Sequence, residues 1–152
     1  MPYTALALQL SARARVASFL SVEAATLFLA DNTTPDGDLT FGLTAGRLGA
    51  CVDLAAEARG AVMICPDLLL GALHTVVRDQ SLAASGVSPW GAAAVDLEGD
   101  LFVLGRLHLG ARGGFIVPFA PYRLYSSEHN FPLFRQRALA LEGLLSVGVH
   151  FP

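Results

Sequence analysis

The feature that most constrains the fold of this chain is the alternation of apolar with polar or small residues in several segments. In residues 39–44, leucine and phenylalanine alternate with threonine and glycine, and residues 4–10 and 147–151 repeat the pattern. Successive side chains of a strand point to opposite faces, so a period of two predicts half-buried strands. We expect a strand-rich domain in which both ends of the chain are patterned and the last residues are buried.

Two other segments have a helical spacing. Pro66 and Asp67 form a plausible helix start, with proline in the first turn and a carboxylate at the positive end of the dipole. Helices are predicted over residues 66–84 and 132–145, because apolar residues recur there at intervals of three and four. Their apolar faces comprise Leu69, Leu73, Val76 and Val77 in the first, and Phe134, Ala138, Leu141 and Leu145 in the second.

Turn residues mark the predicted connections. Residues 31–38 gather Asn, Thr, Pro, Asp and Gly and predict a loop. Glu98-Gly99-Asp100 predicts the turn of a β-hairpin, and the glycines of residues 108–114 predict a tight turn between strands. Residues 61–65 predict a central strand, while 48–58 fit helix or strand. The fold class is therefore α+β, a single domain over 1–152 with a mostly antiparallel sheet or sandwich and two amphipathic helices.

Composition limits the classes of partner. The chain is 53% hydrophobic and only 15% charged, which leaves few charges to coat the surface and predicts apolar contact with a protein partner. No apolar run reaches the roughly 18 residues of a transmembrane helix. Arg13 and Arg15 follow the first apolar segment, opposite to the charge order of a signal peptide. We expect a cytoplasmic or virion-associated protein, and a net charge of −3 without a basic stripe does not favour nucleic acid.

The sequence contains no recognisable metal or cofactor motif. Cys51 and Cys65 lie in apolar surroundings and predict two buried, reduced thiols, with a single disulfide as the alternative. The four histidines are isolated, and the aspartates of residues 31–38 lack the spacing of a calcium loop. We therefore predict no cofactor and no metal.

The most polar constellation lies in residues 122–130, before the second predicted helix. It supplies three catalytic candidates for proton transfer, His129, Glu128 and Arg123. Arg106 and a fourth candidate, His108, could face the same surface. Tyrosine and arginine together also suit a protein interface. The interface candidates, with the patterned end of the chain, are Tyr122, Arg123, Tyr125, Val149 and Phe151. A solvated loop before the helix is the simpler interpretation.

The order of the first predicted helix, Gly86-Val87 and the hairpin around residues 98–100 resembles the core of roadblock-type dimerisation domains. This resemblance covers about forty residues and has no specific motif. It implies a regulatory module that forms a symmetric dimer.

Low charge, patterned ends and the complete absence of lysine lead to one main hypothesis. The chain is predicted to be a non-enzymatic structural or interaction subunit of a larger assembly, such as a virion structural protein, whose neighbours cover its ends and sheet edges. It would form a homo-oligomer or a larger assembly. One alternative is a small enzyme or ligand-binding domain that uses the polar patch of Arg106, His108, Arg123, Glu128 and His129. The other is the roadblock-like module.

Overall fold

The computed structural model describes residues 6–33, 39–57, 59–78, 83–104, 107–120, 123–125, 132–135 and 138–149. Within these ranges the protein is all-β. Its strands, in chain order, are β1 (Ala7–Ala17), β2 (Leu20–Thr33), β3 (Leu39–Glu57), β4 (Gly60–Arg78), β5 (Ala83–Leu104), β6 (Leu107–Pro118), β7 (Arg123–Tyr125), β8 (Pro132–Arg135) and β9 (Ala140–Val149).

Seven strands form one antiparallel main sheet in the order β1-β2-β3-β4-β5-β6-β9. Each of the first six pairs with its neighbours in sequence, and β9 pairs with β6. Between them, β7 and β8 form a separate two-stranded sheet. The main sheet curls into a half-barrel whose edge strands are β1 and β9.

The two ends of the main sheet differ in their connections. At the end that we call the turn end, only residues 18–19, 58–59 and 105–106 separate consecutive strands. At the opposite end, the loop end, the connections are longer, and the one from β6 to β9 contains the β7–β8 hairpin. Strands β1, β3, β5 and β9 run from the loop end to the turn end, so the two edge strands run in the same direction.

The core lies on the concave, inward face of the sheet. Towards the loop end it is an apolar cluster of Leu27, Leu43, Ala45, Leu69, Leu73, Trp90, Ala92 and Ala94. A smaller cluster of Cys51, Met63 and Cys65 lies nearer the turn end. The rest of the inward face carries charged side chains, which are described below.

The α+β prediction is wrong, because residues of both predicted helices lie in strands. Residues 66–78 belong to β4, while 132–135 and 140–145 belong to β8 and β9. Leu69, Leu73 and Val77 are four apart, and any even spacing also places residues on one face of a strand. Leu68 and Leu70 fill the opposite, exposed face, and this apolar content on both faces concealed the period of two.

Two predicted turns are also wrong, because the strands are longer than expected. Glu98-Gly99-Asp100 lies inside β5, and residues 108–114 lie inside β6. β5 continues to Leu104, and the antiparallel β6 begins at Leu107. Residues 66–78 also lie in a strand. The helix and the hairpin on which the roadblock resemblance rested are therefore both absent from the described residues.

Other predictions agree with the structure. Residues 39–44 and 61–65 lie in β3 and β4, and the undecided segment is strand through Glu57. The predicted loop over residues 31–38 is wrong at its start, because residues 31–33 are the end of β2, and residues 34–38 lie outside the described residues.

The two cysteines are buried, as expected, but they form a disulfide instead of two free thiols. Cys51 on β3 and Cys65 on the adjacent β4 have Cα atoms 4.1 Å apart. The bond joins neighbouring strands on the inward face.

We expect the disulfide to form when the chain refolds under oxidising conditions. Thiol titration in denaturant without reductant should then find no free thiol, and the C51A/C65A variant should lose about 3 kcal/mol of stability, the entropy model's value for a loop of about 15 residues. Two reactive thiols in refolded protein would contradict the assignment.

Candidate functional site: a charged network inside the sheet

Every strand of the main sheet contributes charged side chains to the inward face. Four arginines and seven carboxylic acids take part in ion pairs there: Arg13, Arg15, Arg47, Arg112, Glu23, Asp53, Asp67, Asp96, Glu98, Asp100 and Glu142. Each occupies a position that alternates with outward-facing residues of its strand. Acidic groups outnumber the guanidinium groups in this network.

The first part, the Arg112 cluster, consists of Arg13, Glu23, Glu98, Asp100 and Arg112. Arg112 donates from Nε to Glu98 Oε2 at 2.9 Å and from Nη2 to both carboxylate oxygens of Glu23 at 2.8 and 2.7 Å. Arg13 donates from Nη2 to the same two acids at 2.5 and 2.6 Å, and from Nη1 to Asp100 Oδ2 at 3.1 Å. Two guanidinium groups therefore share two buried carboxylates, which binds strands β1, β2, β5 and β6 together.

The second part, the Arg47 cluster, consists of Arg47, Asp67, Asp96 and Glu142. Arg47 donates from Nε and Nη2 to Asp67 Oδ2 at 3.0 and 2.6 Å. Its Nη2 also bonds Asp96 and donates to Glu142 Oε1 at 2.8 Å. Arg112 Nη1 lies 3.9 Å from Asp67 Oδ2, so the two clusters form one continuous network.

Glycines on neighbouring strands make room for three of the acids. Asp67, Asp96 and Asp100 lie opposite Gly49, Gly114 and Gly110 in the strand register. A Cβ atom at any of these glycines would overlap the facing carboxylate. The absence of a side chain at each glycine therefore sets where the acid lies.

The arrangement places buried charges of opposite sign against each other. Arginine stays protonated in proteins and cannot exchange a proton, so its role here is to neutralise the carboxylates. Among the described residues, Cys51, Cys65 and Glu98 have the spacing of a metal site. Because the two sulfur atoms are bonded to each other, neither is the thiolate that a metal requires.

Of the predicted site residues that the structure describes, His108 lies close enough to this network to act electrostatically on the Asp100 carboxyl. His108 lies on the inward side of β6 in edge-to-face contact with Phe102. Arg123 and Tyr125 lie in β7, and Val149 is exposed on the edge strand β9. The remaining candidates lie outside the described residues: Arg106, Tyr122, Glu128, His129 and Phe151.

Sequence reasoning missed the network itself, although a signal for it exists. Asp96, Glu98 and Asp100 alternate with Val95, Leu97, Gly99 and Leu101, as Arg13 and Arg15 alternate with apolar neighbours. This alternation places all the charges of each strand on one face.

No family model, curated protein or solved structure matches this chain. In the part of the chain that the structure describes, no helix has the length and apolar character needed to cross a membrane.

Removing Arg112 should strongly destabilise the protein, because Glu23 and Glu98 would remain buried with Arg13 as their common cation. We expect R112A to cost about 3–5 kcal/mol, the usual cost of breaking a buried ion pair from one side. The control R59A, at an exposed turn residue, should change stability by less than about 0.5 kcal/mol. Chemical denaturation measures both, and equal effects would mean that the network contributes no more than a surface charge.

The glycine positions provide an independent test of the interior packing. G114A places a methyl group on Asp96, whereas G143A places one where no heavy atom lies within 4 Å. We expect G114A to lower the unfolding midpoint clearly and G143A to leave it nearly unchanged. Equal midpoints would contradict the described position of Asp96.

Proposed function

We propose that this protein is a structural membrane protein whose main sheet stands in a lipid bilayer. Its outward face would contact acyl chains, and its charged network would fill a dry interior. The observation that carries the proposal is the absence of charge on the outward face. That face comprises the even-numbered residues 8–16, 22–28, 44–54 and 62–74, and the odd-numbered residues 87–101, 109–117 and 141–149.

None of these outward positions holds Asp, Glu, Arg or Lys. Many hold large apolar side chains that are well exposed, among them Leu10, Leu48, Leu70, Leu97 and Leu145. The buried positions of the same strands hold the ion pairs. Proteins in water usually show the reverse distribution, since unpaired charged residues are almost never fully buried there and large exposed apolar patches mark contact surfaces.

The extent of this face favours lipid over a protein partner. It continues across all seven strands of a curled sheet, on the convex side, where a single flat partner could cover only part of it. Strands that alternate between a lipid-facing apolar residue and an interior polar residue are typical of membrane proteins built from β-strands. In a bilayer, the acyl chains would contact these hydrophobic side chains directly.

Dimensions and connections support the same interpretation. A tilted strand of about 9–11 residues crosses the apolar part of a bilayer, and the strands of the main sheet have 10 to 22 residues. The short connections at the turn end and longer ones at the loop end match the usual asymmetry of such proteins. The disulfide agrees with a compartment outside the reducing cytosol.

This proposal keeps the structural role predicted from the sequence and changes the location of the protein. The non-enzymatic, structural interpretation is retained, because the carboxylates of the network are engaged in ion pairs with arginines inside the sheet. Lipid replaces the protein partner that sequence analysis assigned to the apolar surface, and the cytoplasmic or virion location gives way to a membrane. No observation favours the enzyme or the roadblock-like alternative.

The direct test is flotation of the full chain, refolded in the presence of phosphatidylcholine vesicles, through a density gradient. We expect the protein to float with the vesicles and to stay with them after washes in high salt and alkaline carbonate, because an embedded apolar face does not depend on ionic attraction. Protein that remains in the bottom fraction as a folded, soluble species would overturn the proposal.

A matched pair of substitutions tests which face meets lipid. Leu48 and Leu54 both lie outward on β3 and are 58% and 59% exposed, but Leu48 is at mid-strand and Leu54 near the turn end. In a bilayer L48R should cost about 2–4 kcal/mol and L54R about 0–1 kcal/mol. In water, two equally exposed sites should tolerate arginine equally. Equal unfolding free energies of L48R and L54R in vesicles would therefore count against membrane insertion.

A further inference from the structure

The two edges of the main sheet have no partner strand among the described residues. Within the lipid that the proposed function requires, unpaired backbone N–H and C=O groups each cost several kcal/mol, so open sheet edges do not occur there. The inference below rests on that proposed function. The edge backbone groups of β1 and β9 therefore need hydrogen-bonding partners in the bilayer.

Interior contacts join strands that are far apart in the order of the sheet. Arg47 on β3 reaches Glu142 on β9 at 2.8 Å, and Arg13 on β1 reaches Asp100 on β5 at 3.1 Å. Such contacts between distant strands require a narrow interior. A closed sheet of about eight strands has an interior just wide enough for side chains to fill it, and this sheet supplies seven.

The burial of the network identifies where cover is missing. The side chains of Arg47 and Arg112, on central strands, are 1% and 4% exposed. On the edge strands, exposure rises to 24% for Arg13, 58% for Arg15 and 17% for Glu142. The interior is therefore sealed at its centre and open along the seam between β1 and β9.

The direction of the edge strands specifies what fits this seam. Both run from the loop end to the turn end, so one strand running the opposite way would be antiparallel to both. A second copy with the same orientation in the membrane would present its own β1 or β9 in parallel. Two joined copies would also form a wide ring of fourteen strands, which the close contacts across the interior do not allow.

We propose that the seam binds one β-strand of a partner polypeptide, antiparallel to both β1 and β9. The strand has about ten residues, the length that crosses a bilayer. Its outward residues are apolar, to continue the face of Leu8, Val16, Leu141 and Val149. Its inward residues are small or polar and include a basic side chain, because carboxylates outnumber guanidinium groups in the network and Glu142 lies beside the seam.

The experiment uses disulfide capture in detergent micelles, with the full chain and a synthetic peptide of this pattern. The peptide carries an outward cysteine near its C-terminus, which the antiparallel arrangement places at the loop end. The chain carries a single added cysteine at one of four outward positions. L8C and L141C lie at the loop end of the two edge strands, and V16C and V149C lie at the turn end. The native cysteines are already joined.

We expect the peptide to capture both L8C and L141C, with loss of capture at V16C and V149C. A peptide of the same composition in scrambled order should capture none of the four. Preferential capture at V16C and V149C would indicate a parallel strand and overturn the proposal. Capture that does not exceed that of the scrambled peptide would overturn it as well.

Two controls without peptide test whether the seam is closed by the two edge strands themselves or by a second copy of the chain. Direct disulfide formation in the L8C/L141C double variant would mean that the edges pair with each other, and dimers in light scattering would mean that a second copy fills the seam. Either result overturns the proposal. Flotation is measured separately, so protein that enters vesicles but rejects the peptide refutes the seam alone. Failure of flotation refutes the membrane assignment.

Discussion

The contacts between buried guanidinium and carboxylate groups are the interaction on which the rest of this structure depends. Each ion removed from water loses several kcal/mol of hydration, which only close, multiply bonded partners can offset. Arg112 meets this requirement with Glu23 and Glu98, and Arg47 with Asp67 and Asp96. Since the partners come from different strands, the sheet must curl for the charges to meet. These ion pairs therefore require a curled sheet.

The apolar outward face is the opposite side of the same strands. Once the inward face of each strand is occupied by charges and the loop-end core, the alternate residues point away from them. These residues are Leu, Val, Ile, Phe, Ala and Gly with few exceptions. Such a surface is costly in water and favourable in lipid. The sheet also pairs the backbone groups of its central strands, which a bilayer demands.

Part of this architecture was predictable from sequence. The alternation in residues 39–44 and the short, wholly apolar run of residues 61–65 both led to correct strand predictions. Residues 66–78 were wrongly predicted to be helical, because leucines lie on both faces of β4 and a spacing of four fits a helix and a strand equally. Glu98-Gly99-Asp100 misled because acid and glycine usually mark a turn, whereas here the acids face inward and the glycine faces out.

The network could be predicted only in part. Alternation shows that the charges of one strand share a face, as for Arg13 and Arg15. It does not show that this face is buried, because the same pattern on an ordinary sheet places charges in water and apolar residues in the core. That choice depends on which charges meet across the sheet. The contact between Arg47 and Glu142, far apart in sequence, has no local signal.

The central claim, that the outward face lies in lipid while the inward face is dry, can be measured by tryptophan quenching. The single native tryptophan, Trp90, faces inward and is buried. In vesicles of lipid brominated on the acyl chains, the tryptophan fluorescence of the native protein should be quenched weakly. The W90F/L48W variant carries its tryptophan on the outward face at mid-strand, so its fluorescence should be quenched strongly. Equal quenching of the two, or stronger quenching of Trp90, would contradict the account.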